Sequence, residues 1–181
     1  MKHPFLIGDS VYLRALLPED VNGDYVNWLN DSEVCKYNSH HVFPYTKQGA
    51  TAYIETTANS RNALVLAIAL KSNDKHIGNI ALQNIDYVAR SAEFAILLGD
   101  KESWGKGYSK EAAFLLFAHG FFEFNLRRIY CGTSAENVAM QKLAESLSMV
   151  FEGRRRGALF KHGRYVDIIE YGLLSEEFRV S

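Results

Sequence analysis

Cysteine is scarce. Cys35 and Cys131 are the only two among 181 residues, too few for a disulfide framework and without the paired spacing of a zinc site. A reducing, cytoplasmic setting without a metal is therefore expected. Proline is scarce too, at three residues against a hydrophobic content of 48%, which favours a compact core over a disordered chain. Long apolar runs are missing. The longest, Ala63 to Leu70, is far too short to cross a bilayer. The opening "MKHPFLIGDSVYLRAL" holds too short an apolar stretch for a signal peptide, so no membrane partner is expected. Neither sign of charge dominates. Lys and Arg number 20 against 21 Asp and Glu, a formal net charge of −1, which argues against nucleic-acid binding driven by phosphate neutralisation. No repeat, linker or low-complexity stretch interrupts the chain, and its length suits one domain over residues 1–181.

What is present is a clear succession of patterns. Ser10 to Leu16 alternates weakly, as a strand does. Pro18 suits a helix start, and Glu19 and Asp20 favour its dipole. Val21, Tyr25, Trp28 and Leu29 share one face of that helix, expected to end near Asn30–Asp31. After the polar, aromatic "SEVCKYNSHHVFPY", Thr46 is placed to cap a second helix through Asn59. "NALVLAIAL", "HIGNIALQNIDYV" and "ARSAEFAILLG" read as an antiparallel meander of three strands. Lys110 to Phe124 is apolar almost all round and predicts a buried central helix. "RRIYCGTSA" reads as a strand. "AENVAMQKLAESLSM" reads as an amphipathic helix anchored by Val138, Leu143 and Leu147, and "ALFKHGRYVDIIEYGLL" as a hairpin turning at His162–Gly163. The order β-α-α-β-β-β-α-β-α-β-β is a mixed α/β domain.

The stretch "GDKESWGKGYSKEAA", Gly99 to Ala113, stands apart. A helix that only packs does not need glycines at 105 and 107 before it. Without Cβ atoms, the N–H groups of a helix start approach an anion closely; a tight strand-to-helix turn is the plainer alternative. A Walker loop is excluded by spacing. Gly99 lies one residue too far away, and Gly107 follows Lys106 where Ser or Thr is needed. A dinucleotide fingerprint needs glycine at 110, where Lys110 stands, and follows the first strand of a βαβ unit rather than a meander.

"ESWGKGYSKEAA", followed by an apolar helix, a strand and "ENVAMQKLAE", resembles the Gcn5-related N-acetyltransferase (GNAT) superfamily. Within it the likeness is to the ribosomal-protein N-terminal acetyltransferase branch. "WLNDSEV" and "VFEGRRRGALFKHGRYVDIIEYGLL" resemble that branch too, so the likeness covers almost the whole chain. It implies an α/β fold: a mostly antiparallel twisted sheet of about seven strands, about four helices and splayed central strands. It implies acetyl-coenzyme A (acetyl-CoA) as donor and direct attack by a primary amine. The loop from Trp104 through the amides of Gly105, Lys106, Gly107, Tyr108 and Ser109 would hold the pyrophosphate. Glu102 stands where the family pattern has Gln or Arg; Lys101, Lys106 and Lys110 are expected to compensate. Backbone groups of Ile96, Leu97 and Leu98 would pair with the pantetheine arm and polarise the thioester carbonyl. Asn137 matches an Asn that contacts that arm, and equally suits a helix cap. Glu93 resembles the position of a general base. Between Ala92 and Phe94, an apolar setting is expected to raise its pKa; a solvent-facing strand position is the alternative. Met140 and Ala144 replace a Ser and a Tyr that relatives often carry, which leaves the proton donor open between Tyr130, Ser134, water and none, a coenzyme A thiolate being a tolerable leaving group.

The resemblance places the acceptor between the first two helices and the final hairpin. Trp28, Tyr37, His40 and His41 are its expected contacts. No carboxylate cluster suited to a polyamine is present; Asp31 and Glu33 are the only nearby acids. The aromatic groups suit a peptide N-terminus, a sugar ring or a nucleobase. A protein N-terminal amine is the acceptor the resemblance implies, with a nucleotide-linked amino sugar or other small amine as the alternative. A non-catalytic acyl-CoA-binding module is a second class, and a nucleotide-phosphate binder a third. The resemblance implies a monomer or a homodimer. In "GRRRG", strand alternation parts Arg155 from Arg154 and Arg156. The run reads either as an edge strand guarded by charge or as a reader of phosphate or acidic peptide.

Overall fold

The computed structural model describes residues 1–179. β1 (Leu6–Ile7) and β2 (Val11–Ala15) open the chain, and α1 (Tyr25–Leu29) and α2 (Lys47–Ala58) follow. The meander is β3 (Leu64–Leu70), β4 (His76–Asp86) and β5 (Ser91–Leu98), antiparallel throughout. Then come α3 (Tyr108–Phe122), β6 (Arg128–Ser134), α4 (Val138–Ser146), β7 (Val150–Lys161) and β8 (Arg164–Leu174). One eight-stranded sheet holds all the strands in the order β1-β2-β3-β4-β5-β6-β8-β7. The strand beyond the expected seven is β1, a two-residue pairing on Leu13 and Tyr12. It is too short to leave a periodic signal in sequence. No helix among the described residues is long and apolar enough to cross a membrane.

The sheet is covered on both faces. On one, Leu116 and Phe117 of α3 are fully buried against Leu82, Phe94 and Ile129, with Phe117 edge-on to Phe94 at 4.9 Å. On the other, α1 and α2 bury Trp28, Leu29, Ala50 and Ile54 over Ala67 and Leu97. Alternation along β5 feeds both layers: Ile96 and Leu98 pack into the first core and Leu97 into the second.

Three expectations are corrected. The helix from Pro18 divides into a 3₁₀ turn, Pro18–Asn22, and a five-residue α1. The cause is Asp20, whose carboxylate accepts the Leu17 amide and a double hydrogen bond from Arg14 and so holds a tight turn that ends at Gly23. Val138 is 57% exposed rather than anchoring α4, while Ala144 is fully buried and Leu143 and Leu147 pack as expected. The first strand of the final hairpin, β7, starts at Val150 rather than Ala158, so it takes in the arginine run, and its register on β8 shifts between Arg155 and Leu159.

The feature that positions a site is the one parallel pairing. β5 and β6 meet only at Ser91↔Arg128, Ala92↔Ile129 and Glu93↔Tyr130. Beyond Glu93, β5 stays on β4 as far as Leu98, and β6 stays on β8 as far as Ser134. The sheet forks there.

Candidate active site

At the open end of the fork the chain leaves β5 through Gly99. A Cβ there would lie 2.0 Å from Cδ2 of Trp28, so the indole occupies the space the glycine vacates. A short turn, Lys101–Ser103, leads to Trp104, whose indole N–H donates to the Leu98 carbonyl at 2.8 Å and folds the loop back over the strand end. Gly105 and Gly107 both have positive φ, +72° and +84°, and a Cβ on either would meet nothing within 4 Å. Gly107 starts the fifteen-residue α3, its carbonyl accepting from the Lys110 and Glu111 amides. Among the described residues no acceptor reaches the amides of Gly105, Lys106, Gly107, Tyr108 or Ser109. Five unclaimed donors at the positive end of a helix dipole, with no side chain in front of them, form a cradle for an anion.

The charges around this cradle are sorted. Lys101 is taken by Asp31 at 2.8 Å and Glu33 at 2.6 Å, and its hydrogen bond holds the Asp31 carboxyl below its ordinary pKa. Lys75 bridges Asp100 at 3.0 Å and Glu102 at 3.6 Å, so the acid at 102 is offset locally. Lys106 and Lys110 are exposed and have no carboxylate partner among the described residues. They, and not Lys101, supply the cationic field.

Glu93 sits at the last pair before the strands part. Its Oε2 accepts from Asn84 Nδ2 at 2.8 Å. The apolar enclosure expected from Ala92 and Phe94 is not built, because in a strand those neighbours point to the opposite face, into the α3 core. Glu93 faces Asn84 and Tyr130 instead. Burial, and then the Glu93 charge, push the Tyr130 phenol above its ordinary pKa. Burial pushes the Cys131 thiol up to about 12, which keeps it protonated and inert. Ser134, 1% exposed, ends β6 with its Oγ accepting the Glu136 amide at 3.2 Å. Asn137 caps α4: Oδ1 accepts the Met140 amide at 3.2 Å, and Nδ2 has no acceptor among the described residues.

On the α1–α2 face, Trp28 is 6% exposed and packs on Gly99 and edge-on to His76 at 5.0 Å. It braces the glycine loop and does not join the other expected acceptor contacts. Tyr37 is half-buried beneath the Lys36 ammonium, 5.1 Å from the ring centroid. His40 and His41 are exposed, His41 with φ +64°, beside a cavity of about 190 Å³ lined in part by Val42, Phe43 and Tyr45. Lys161, next to the hairpin turn, donates to the His40 carbonyl at 2.6 Å and joins this loop to β7–β8. The arginines part as expected: Arg154 binds Asp167 at 2.6 Å, and Arg155 binds Glu170 at 2.9 Å from the other face. Among the described residues no three His, Cys, Asp or Glu side chains gather to hold a metal.

Residues 10–150 match the family model of the acetyltransferase (GNAT) domain. The chain belongs to the GNAT acetyltransferase family. Across 175 residues it is 31% identical to the "Uncharacterized N-acetyltransferase p20" of Bacillus licheniformis, covering 96% of this chain and 97% of that one. It is 32% identical over 101 residues to the "Putative ribosomal N-acetyltransferase YdaF" of Bacillus subtilis, 56% of this chain and 55% of that protein. Among solved structures, spermidine N-acetyltransferase from Vibrio cholerae, in complex with CoA and spermine, superposes with a TM-score of 0.85 at 25% identity over 94% of this chain and 98% of that one.

For a GNAT enzyme the donor is acetyl-CoA, and the cradle fits its diphosphate: two glycine positions open to solvent, five amides without acceptors and two unpaired lysines. The half-buried side chains of Ile96, Leu97 and Leu98 are committed to packing, so what this GNAT domain offers the gap along β5 is main chain. Three contributors were not foreseen from sequence. Asn84, Lys75 and Lys161 act across 9, 25 and 121 residues of chain respectively, and single polar residues at such separations leave no local pattern.

Proposed function

We propose that this GNAT enzyme acetylates the N-terminal amine of a protein, with residues 1–181 acting as one catalytic unit in the cytoplasm. The observation that carries the reading is the fork itself: a parallel pairing that stops at Glu93, opening toward an anion cradle at Gly105–Ser109. Acetyl-CoA supplies the acyl group as a thioester. The five amides, Lys106 and Lys110 bind its diphosphate, main chain of Ile96–Leu98 aligns the arm, and Asn137 Nδ2 donates to it. Glu93, oriented by Asn84, takes a proton from the incoming ammonium, directly or through water, so that a neutral amine attacks. Ser134 uses an oxygen lone pair on Glu136 and keeps its hydroxyl proton for the departing thiolate. Tyr37, His40 and His41 contact the acceptor at the entrance.

The likeness to a putative ribosomal N-acetyltransferase supports a protein acceptor, and the charge layout speaks against a polyamine, since Asp31 and Glu33 are both bound by Lys101. Two buried, unpaired cysteines suit a reducing compartment. Thiol release from acetyl-CoA with Ser- and Ala-starting peptides tests the acceptor; turnover of a nucleotide-linked amino sugar with none on peptides rejects it. Glu93→Gln is expected to lower kcat by about 10²- to 10⁴-fold while calorimetry shows acetyl-CoA affinity unchanged. A variant that keeps wild-type kcat removes Glu93 from the chemistry.

A further inference from the structure

The entrance to the fork has a sign. Hairpin β7–β8 carries five basic residues, Arg154, Arg155, Arg156, Lys161 and Arg164, against three acids. Every one of those acids is bound: Glu152 by Arg128, Asp167 by Arg154 and Glu170 by Arg155. Glu136, at the start of α4, is bound by Arg164. Across the entrance, Asp31 and Glu33 are bound by Lys101. Lys36 and Lys161 have no carboxylate partner among the described residues. Lys161 reaches the opposite wall through the His40 carbonyl. Its ammonium acts on the 35–40 turn: burial raises the Cys35 thiol and Lys161 opposes that rise without overcoming it, while Lys161 adds to the partial desolvation that lowers the His40 imidazole. Deep in the fork the sign reverses: Glu93 is bound by Asn84 and by no cation. A protonated amine is drawn to the inner end and an anion to the outer.

We propose that the acceptor is a primary amine carrying negative charge remote from its nitrogen, and that Lys161, with His40, reads that charge at the entrance. The inference rests on the reading of Glu93 as the residue that meets the amine. The same chemistry arises in a peptide acidic at its third to fifth residues and in a nucleotide-linked amino sugar. A polyamine lacks it.

Two assay arms test it by thiol release. One compares peptides alike at residues one and two, with Asp or Lys at three to five. The other compares a uridine-diphosphate-linked amino sugar with the free amino sugar. In whichever arm turns over, kcat/KM is expected to favour the anionic member at least tenfold. Lys161→Glu is expected to bring that ratio to unity or below, and Lys161→Arg to restore it, with acetyl-CoA affinity by calorimetry moving less than twofold. Equal turnover of the paired acceptors, or a ratio that Lys161→Glu leaves alone, overturns the proposal. So does a Lys161→Glu variant that loses acetyl-CoA affinity, since the charge then serves the donor. Turnover of the sugar arm alone overturns the N-terminal amine and leaves the charge preference standing. Release in neither arm overturns both.

Discussion

A methyl group at position 107 would enter open space, yet the backbone there has φ +84°. That conformation costs an L-residue about 1–2 kcal/mol, and the methyl would stand where an anion must approach the amides of residues 105–109. Gly107→Ala is therefore expected to fold with a stability loss of about 1 kcal/mol and to bind acetyl-CoA at least tenfold more weakly by calorimetry. Gly99→Ala is its counterpart. The added Cβ collides with the Trp28 ring, so the expected loss appears in a urea melt of the free protein. Full affinity in Gly107→Ala removes the bare amides from the binding site.

At the scale of elements, the 3₁₀ turn is held to β2 by a buried ion pair. Arg14 and Asp20 are 4% and 5% exposed and 2.7 Å apart, and His76 lies 3.4 Å from the same carboxylate. Burial opposes the charge on Asp20, but Arg14 and then His76 outweigh it and hold the carboxyl well below its usual range. Because the folded pKa is depressed, the stabilisation is complete above the unfolded value, about 3.9, and is lost as pH falls through the lower folded one. Asp20→Asn leaves Arg14 buried without a counter-charge and is expected to cost about 3–5 kcal/mol in urea melts at pH 7. It should also flatten the decline in stability below about pH 4. A loss under 1 kcal/mol would show that the turn holds without the pair. This turn also marks what the sequence could not disclose. Pro18, Glu19 and the apolar spacing of Tyr25, Trp28 and Leu29 read as one helix, and only a partner on β2 ends it at Gly23. The meander, α2 with its Thr46 cap, and α3 were legible because each is announced by contiguous residues: short apolar runs between polar turns, a capping hydroxyl, and one long apolar stretch behind the glycine loop. The same holds for the site: the glycine loop is a contiguous motif and was readable, whereas Glu93's polar setting depends on Asn84 and Tyr130 lying across neighbouring strands.

For the whole molecule, the consequence of the fork is that three residue pairs join the strands β1–β5 to β6, β8 and β7. α3 backs both sides, through Phe94 on β5 and Ile129 on β6. Past Glu93 the inner edges of β5 and β6 lack a strand partner, and on the proposed function the amide-bearing arm of acetyl-CoA is the element that completes the sheet. Binding should then act on the fold as a missing strand would. At 100 times Kd, acetyl-CoA is expected to stabilise the protein by about 2.7 kcal/mol through mass action alone. Hydrogen exchange separates completion of the sheet from simple occupancy. With ligand, amides in Ala95–Leu98 and Cys131–Ser134 should slow together, although the first four lie on one half of the sheet and the last four on the other. Protection confined to Gly105–Ser109 would mean that the diphosphate is held while the arm stays outside, and the fork would then have to be assigned another role.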